Sequence, residues 1–361
     1  MKVIKVNLKN NSYPIIVGTG ILAKLGSYLR KLKTGSDLYI ITNPFIKAKF
    51  GNILEKSLKN SSFTLRFHLV PDTEASKSLT RAAKILADLS AYDQKKKIVI
   101  AAFGGGVVGD LSGFVASLYK RGTPYIQLPT TLLAQVDSSI GGKTAVDLAQ
   151  GKNLAGTFYQ PKLVLSDIDL LKSLPRRQLS SALAEVIKYA VILDPPLFVY
   201  LEKNLSRILA KNKACLEFIV ARCASLKAAI VSRDEVERLG LRTILNFGHT
   251  LGHAIEAAGD FKTYNHGEAV GLGMLCAGSI SVSLGLLKEK DFKRIEKLIL
   301  RAGLPARIKG LDLNKIIASH YHDKKFSGAK NKFVLASGIG RSTIKMNIPL
   351  DLIREALKGR F

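Results

Sequence analysis

An α/β fold, with a Rossmann-like parallel-sheet domain first and a mainly α-helical domain after it, is predicted by three observations. Short β-rich runs alternate with helical periodicity through the first half of the chain. A glycine-rich turn follows one of these runs and opens a helix, and beyond about residue 166 the extended runs give way to helical spacing. The chain has 361 residues, about two domains at the usual ~100–200 residues each.

The opening, MKVIKVNLKNNSYPIIVGTG, alternates apolar and polar residues around Val3, Ile4, Val6 and Leu8, and reads as a strand and turn, not as a signal segment. Asp37–Thr42 (DLYIIT), Thr64–Val70 (TLRFHLV), Lys97–Phe103 (KIVIAAF), Tyr125–Leu128 (YIQL) and Leu163–Ser166 (LVLS) are short β-rich runs bounded by turn residues. Between them, Ser76–Leu89 places Leu79, Ala83, Leu86 and Leu89 in helical register. Helical periodicity dominates from about Arg177 to Ala302, and Phe333–Ala336 with Thr343–Met346 reads as a small hairpin. The change of texture lies at Ser166–Ser173, giving an α/β domain over 1–167 and a mainly helical domain over 168–361.

Composition excludes several classes. With 47% hydrophobic and 23% charged residues the chain is not disordered. Its longest apolar stretch, Ala269–Ser283, contains three glycines and falls short of the ~18 residues of a membrane span. A soluble, cytoplasmic protein is expected. Cys215, Cys223 and Cys276 form no CxxC pair and read as buried, reduced thiols. The 55 basic and 28 acidic residues give a net charge of +27. The basic residues are scattered, the longest run being Lys95–Lys97, and no aromatic-interleaved basic stripe is present. The charge reads as steering of anionic substrates, with no specific nucleic-acid or membrane partner.

Two glycine segments suggest anion binding. Gly104, Gly106 and Gly109 satisfy G-x-G-x-x-G between a strand and a helix, where backbone N–H groups can approach a pyrophosphate. The acid expected ~20 residues on is replaced by Pro129–Thr131, so a tight strand–helix turn stays open as the alternative. In SSIGGKT, Gly142-Lys143-Thr144 imitates the end of a P-loop, but Asp137 stands where the first glycine belongs. A P-loop NTPase is disfavoured, and Lys143 remains a candidate anion contact.

A third constellation suggests a metal. His249 and His253 lie i,i+4 on one helix face, with Glu256 one turn further, and His266 opens the next helix beside Glu268. Upstream, Glu185 and Lys188 share a helix face. Two histidines and a carboxylate with an open position suit a catalytic divalent ion. Spacing alone does not decide which histidines bind. No HExxH occurs, and His68, His320 and His322 read as structural, the last two with a weaker claim as ligands.

In order along the chain, GGGVVGDLSGFVAS, RGTPYIQLPTTLLAQVDSSIGGKTAVD, QGKNLAGTFYQP, LAEVIKYA, LNFGHTLGHAIEA and HGEAVGLGM resemble the 3-dehydroquinate synthases of the sugar phosphate cyclase superfamily. The likeness runs from EASKS at Glu74 to DKKFSGAKNKFVLASGIG near the C-terminus. It implies a zinc or cobalt ion on Glu185, His249 and His266, with His253 as a proton-transfer or orienting residue. It implies an NAD site of Glu74, Lys77, Gly105, Gly106, Asp110, Thr130 and Thr131, with Asp137 and Lys152 towards the nicotinamide. Substrate contacts would come from Arg121, Lys143, Asn153, Lys188, Lys227, Arg242, Asn246 and Lys325, with Lys324 an alternative to the last. The first domain would then bind NAD and the second metal and substrate.

The implied reaction converts 3-deoxy-D-arabino-heptulosonate 7-phosphate to 3-dehydroquinate and phosphate, in the shikimate pathway of aromatic amino acid biosynthesis. It runs through transient oxidation at C5, phosphate elimination, reduction, ring opening and an intramolecular aldol. A homodimer is the family expectation. Two departures stand out: Thr73 replaces the usual glycine before Glu74, and Asp234–Arg242 is one residue longer than the common form. Competing readings are another sugar phosphate cyclase, a metal-dependent polyol dehydrogenase, and a basic binding protein with a vestigial site.

Overall fold

The structure, a computed structural model, describes residues 1–59, 63–321 and 331–361. It forms two compact units, Met1–Leu174 with Leu216–Val236, and Pro175–Cys215 with Glu237–Phe361. The first unit therefore reaches past residue 167 and takes in most of the helix Lys213–Arg233. Specific contacts hold that helix there: Asn7 N donates to Ser232 Oγ at 2.9 Å, and Glu217 pairs with the Met1 amino group at 2.9 Å.

The first unit contains β1 (Lys2–Val6), β2 (Tyr13–Gly18), β3 (Asp37–Thr42), β4 (Thr64–Leu69), β5 (Ile98–Gly104), β6 (Tyr125–Pro129), β7 (Lys143–Leu148), β8 (Gly151–Phe158) and β9 (Val164–Asp167). Seven of these make one sheet in the order β1-β2-β9-β6-β5-β3-β4, parallel except for the β1–β2 pair. Side chains alternate between the faces of a strand, so β3 and β5 serve two cores. Leu38, Ile40, Val99, Ala101 and Phe103 pack with the helices Leu25–Leu32 and Pro44–Lys59. Tyr39, Ile41, Ile98, Ile100 and Ala102 pack with the helices Leu79–Tyr92 and Gly106–Leu118. Burial on both faces explains why these runs are apolar almost throughout.

The remaining two strands, β7 and β8, pair as an antiparallel hairpin. Lys143 thus begins a strand, where a P-loop would begin a helix, in keeping with the missing glycine at Asp137. Thr73 lies in extended backbone at φ −137°, a conformation that needs no glycine.

The second unit is mainly helical. Its helices are Arg176–Leu193, Pro195–Leu209, His249–Ala258, His266–Ser283, Glu289–Arg301, Leu313–Tyr321 and Leu350–Lys358, and its strands β10 (Lys332–Gly338) and β11 (Arg341–Met346) form the expected hairpin. His266–Ser283 is apolar on nearly every side and buried from Ala269 to Gly278, as a central helix must be. None of the described helices is long and apolar enough to cross a membrane. Cys215, Cys223 and Cys276 are all buried and unpaired with one another.

Candidate active site

Among the described residues, the expected site residues fall into two groups, one in each unit. In the first unit the chain passes from β3 out to β4 and returns to the other side of β3 as β5. This reversal makes the carboxyl ends of β3 and β5 a topological switch point, the place where open α/β sheets bind ligands. Gly104 ends β5, and the helix Gly106–Leu118 starts there with its N–H groups free to meet an anion. A Cβ on Gly105 would come 3.1 Å from Thr131 Cγ2, and one on Gly106 3.3 Å from Ser138 Oγ. Side chains would fill the cradle that the bare backbone keeps open. Thr130 N donates to Gly104 O at 2.9 Å, joining the two turns.

Lys77, buried, is the hub of the polar residues in this unit. Its Nζ donates to Asp110 Oδ2 at 2.8 Å and to Asn153 Oδ1, and lies 3.7 Å from Glu74 Oε1, which Lys152 Nζ approaches to 3.6 Å. Burial opposes the Lys77 charge, but Asp110 and Glu74 outweigh it and raise the ammonium pKa. Burial also pushes the Asp110 carboxyl up, against Lys77. The two shifts pull the pair in opposite senses; the short contact and the second oxygen from Asn153 favour the ionised pair. Asn153 takes a left-handed backbone, φ 55°, held by its N–H to Asp147 Oδ1 at 2.8 Å. Asp147, whose own N–H donates to Lys77 O at 2.7 Å, is a member of the cluster that the sequence did not single out. Lys227 Nζ reaches both the carbonyl and Oδ1 of Asp137, each at 2.9 Å. Arg121 and Lys143 are exposed, and Arg121 also has a left-handed backbone at φ 61°.

In the second unit, Glu185, His249 and His266 offer one carboxylate oxygen and two ring nitrogens within 4.8 Å of one another. Glu185 comes from the middle of Arg176–Leu193, and each histidine is the first residue of its helix. His249 Nε2 lies 3.3 Å and His266 Nε2 3.5 Å from Glu185 Oε1. The opposite nitrogens are occupied: His249 Nδ1 donates to the Phe247 carbonyl at 3.2 Å, and His266 Nδ1 faces Glu256 Oε2 at 3.2 Å. Since a carbonyl only accepts, the His249 proton belongs on Nδ1, leaving the Nε2 lone pair towards Glu185.

The Glu185 carboxylate is almost wholly buried and neither oxygen has a well-formed hydrogen bond, although Lys188 Nζ lies against Oε2. Burial would raise its pKa, but Lys188 and His249 hold it well below the usual range. Burial lowers His249. Burial acts the same way on His266, yet Glu185 and Glu256 prevail and lift it to about 10. An ionised, unsatisfied carboxylate facing two oriented Nε2 atoms fits a divalent ion of borderline softness, which would replace a proton on this cluster. His253 lies beside the trio, its ring centroid 5.3 Å from that of His249 and 6.2 Å from that of His266. Arg242, buried with Nε 3.1 Å from Glu237 Oε1, and Asn246 lie in the 3-10 segment Leu241–Asn246 that precedes His249. His320 is buried near Phe333, away from any described metal-ligand group, while His322, Lys324 and Lys325 lie outside the described residues.

Profiles of the 3-dehydroquinate synthase N-terminal and C-terminal regions match residues 67–181 and 182–326. The 3-dehydroquinate synthase of Desulforamulus reducens is 46% identical over 347 residues, 95% of this chain and 96% of that protein. A 2-deoxy-scyllo-inosose synthase, solved with carbaglucose-6-phosphate, NAD+ and Co2+, superposes with a TM-score of 0.91 at 25% identity over the full length of both chains. The 2-epi-5-epi-valiolone synthase of Streptomyces hygroscopicus subsp. jinggangensis 5008, with NAD+ and Zn2+ bound, gives 0.88 at 26% identity over 98% of this chain and 97% of the other. With the two profiles matched over adjoining stretches from residue 67 to 326 and the relative covered almost completely, this chain belongs to the 3-dehydroquinate synthase family.

Proposed function

We propose that this protein is a 3-dehydroquinate synthase, a carbon–oxygen lyase that converts 3-deoxy-D-arabino-heptulosonate 7-phosphate to 3-dehydroquinate and phosphate with NAD and a divalent metal. The observation that carries the reading is the buried Glu185 carboxylate facing His249 and His266 Nε2, within a chain matched by both family profiles. Zinc or cobalt held there would polarise a substrate hydroxyl, and NAD at the glycine cradle would accept and return a hydride.

The protein's own residues supply binding and proton management. In this reading Gly105 and Gly106 admit the pyrophosphate, Thr130 and Thr131 flank it, and Glu74, Lys77, Asp110, Asp137 and Lys152 hold the rest of the dinucleotide. Lys143, Lys188, Lys227, Arg121 and Arg242 provide cations for the substrate carboxylate and phosphate, with arginine suited to bidentate pairing. Asn153 and Asn246 orient hydroxyls. His253, partly exposed beside the metal ligands, moves the proton of the reacting hydroxyl. The first unit is assigned NAD and the second the metal. A cytoplasmic homodimer is the expected working form.

The test is phosphate release from the heptulosonate phosphate with NAD and zinc each present or withheld. Release that needs both, with dehydroquinate formed and no net NADH, is the expected result. Net NADH accumulation would instead indicate a polyol dehydrogenase. Turnover of another sugar phosphate in preference would reassign the substrate within the cyclases.

A further inference from the structure

Glu256 is a buried carboxylate on the metal-bearing helix, and the chemistry assigned to the site gives it no task. It stands two turns beyond His249 on the helix His249–Ala258. Its side chain has one described polar contact, Oε2 to His266 Nδ1 at 3.2 Å. A buried carboxylate is costly unless paired. Here the ring it faces at hydrogen-bond distance turns its other nitrogen to Glu185.

We infer that Glu256 is the positioning residue for the metal site: by accepting the Nδ1 proton of His266 it fixes which nitrogen of that ring binds the ion, and in what direction. This rests on the reading of Glu185, His249 and His266 as the ligands. An imidazole rotates about its Cβ–Cγ bond and can present either nitrogen, so a ligand histidine needs a partner that settles both choices. His249 has the Phe247 carbonyl for this, a neutral acceptor within its own chain segment. His266 is partly exposed, with 35% of its side-chain surface open, and opens its helix after a turn through Asp260 and Phe261, both left-handed. It has the greater need of an anchor, and a carboxylate makes its ring a more basic donor than a carbonyl would.

The start of the same helix is braced separately. Asn265 and Glu268 form a reciprocal capping box, Arg177 grips Glu268 through two hydrogen bonds of 2.7 and 2.8 Å, and Ser181 Oγ donates to Asn265 Oδ1 at 2.7 Å. Arg177 and Ser181 belong to the helix that carries Glu185. These contacts fix where His266 starts; Glu256 fixes how its ring is turned. Glu256 also lies close enough to His253 and His266 for those three to hold an ion of their own. Because His266 Nδ1 would then have to bind metal, that arrangement and the positioning role predict different outcomes.

The experiment compares wild type, Glu256→Gln and Glu256→Ala, reading zinc affinity by chelator competition and the visible spectrum of the cobalt-loaded protein. Glu256→Ala is expected to weaken zinc binding ten- to a hundredfold and to alter the cobalt bands, at one ion per chain throughout. Glu256→Gln, which can still accept the Nδ1 proton, should recover most of the affinity. Unchanged affinity and spectrum in Glu256→Ala would overturn the inference, as would a second ion in wild type that Glu256→Ala removes. Wild type that binds no zinc, or Glu185→Gln that binds it as well as wild type, would instead refute the ligand assignment beneath it. A thermal melt of each metal-free variant separates loss of fold from loss of positioning.

Discussion

Gly273 faces Gly248 so closely that a Cβ on Gly273 would lie 2.0 Å from the Gly248 carbonyl oxygen. Gly248 immediately precedes His249, so this contact sets how near the two histidine-bearing helices can come. Gly273→Ala is expected to force them apart, destabilising the protein by about 1–3 kcal/mol as overpacking does, and to weaken zinc binding although no ligand is touched. Calorimetry and chelator competition check it, with Gly285→Ala, which has no neighbour within 4 Å of the added Cβ but a left-handed φ of 68°, as a variant that should cost stability without loosening zinc.

Removing Glu185 should do more than remove a ligand. It also breaks the buried ion pair with Lys188, a change that costs about 3–5 kcal/mol. Glu185→Ala should therefore abolish both zinc binding and phosphate release and lower the melting temperature. Adding Lys188→Met should restore much of the stability and none of the activity. No recovery of stability would mean that the loss of packing, not the broken ion pair, causes the instability.

Lys77→Met should weaken NAD binding about ten- to a hundredfold, the range for losing a charged hydrogen bond, because Asp110 and Asn153 lose the group that holds them. Titration calorimetry measures it directly. Zinc stoichiometry should be unaffected, since every proposed metal ligand belongs to the other unit.

Asp88 offers a pH test away from either group. Burial would raise its carboxyl, but the Tyr39 hydroxyl, His68 and Arg66 bring it below the ordinary value. A carboxyl whose folded pKa is depressed contributes stability above its unfolded pKa, about 3.9, and loses it as pH falls through the folded value. The stability gap between wild type and Asp88→Asn should be full at pH 6 to 7 and shrink progressively below about pH 4. Melting temperatures across that range decide it; a gap independent of pH would assign the effect to packing.

The sheet was legible because both of its faces are buried: Ile98, Ile100 and Ala102 on one side and Val99, Ala101 and Phe103 on the other leave an apolar run that only a covered strand explains. The histidines stand out by their closeness in sequence, yet their spacing leaves the ligand pair open. Helical spacing tells which side chains share a face and says nothing of which ring nitrogen points where; that depends on Phe247 O and on Glu256, whose partner sits on another helix. Lys227 shows the same limit. Periodicity marks its segment as helical, but its attachment to Asp137, 90 residues earlier, is a tertiary fact with no local trace. Asp147 leaves no mark in the sequence because its work is done by a backbone N–H and a side chain in a hairpin that reads locally as an imperfect phosphate loop.

The buried thiols have a practical consequence. Cys223 belongs to the first unit and Cys276 to the second, where burial pushes its pKa to about 12. Both sulfurs are shut away from a thiol reagent while their surroundings stay closed. A thiol reagent added to the native protein thus becomes a stopwatch, and peptide mapping of the tagged cysteine reports which half of the molecule opened first. Bound zinc should slow the clock at Cys276, and bound NAD the one at Cys223.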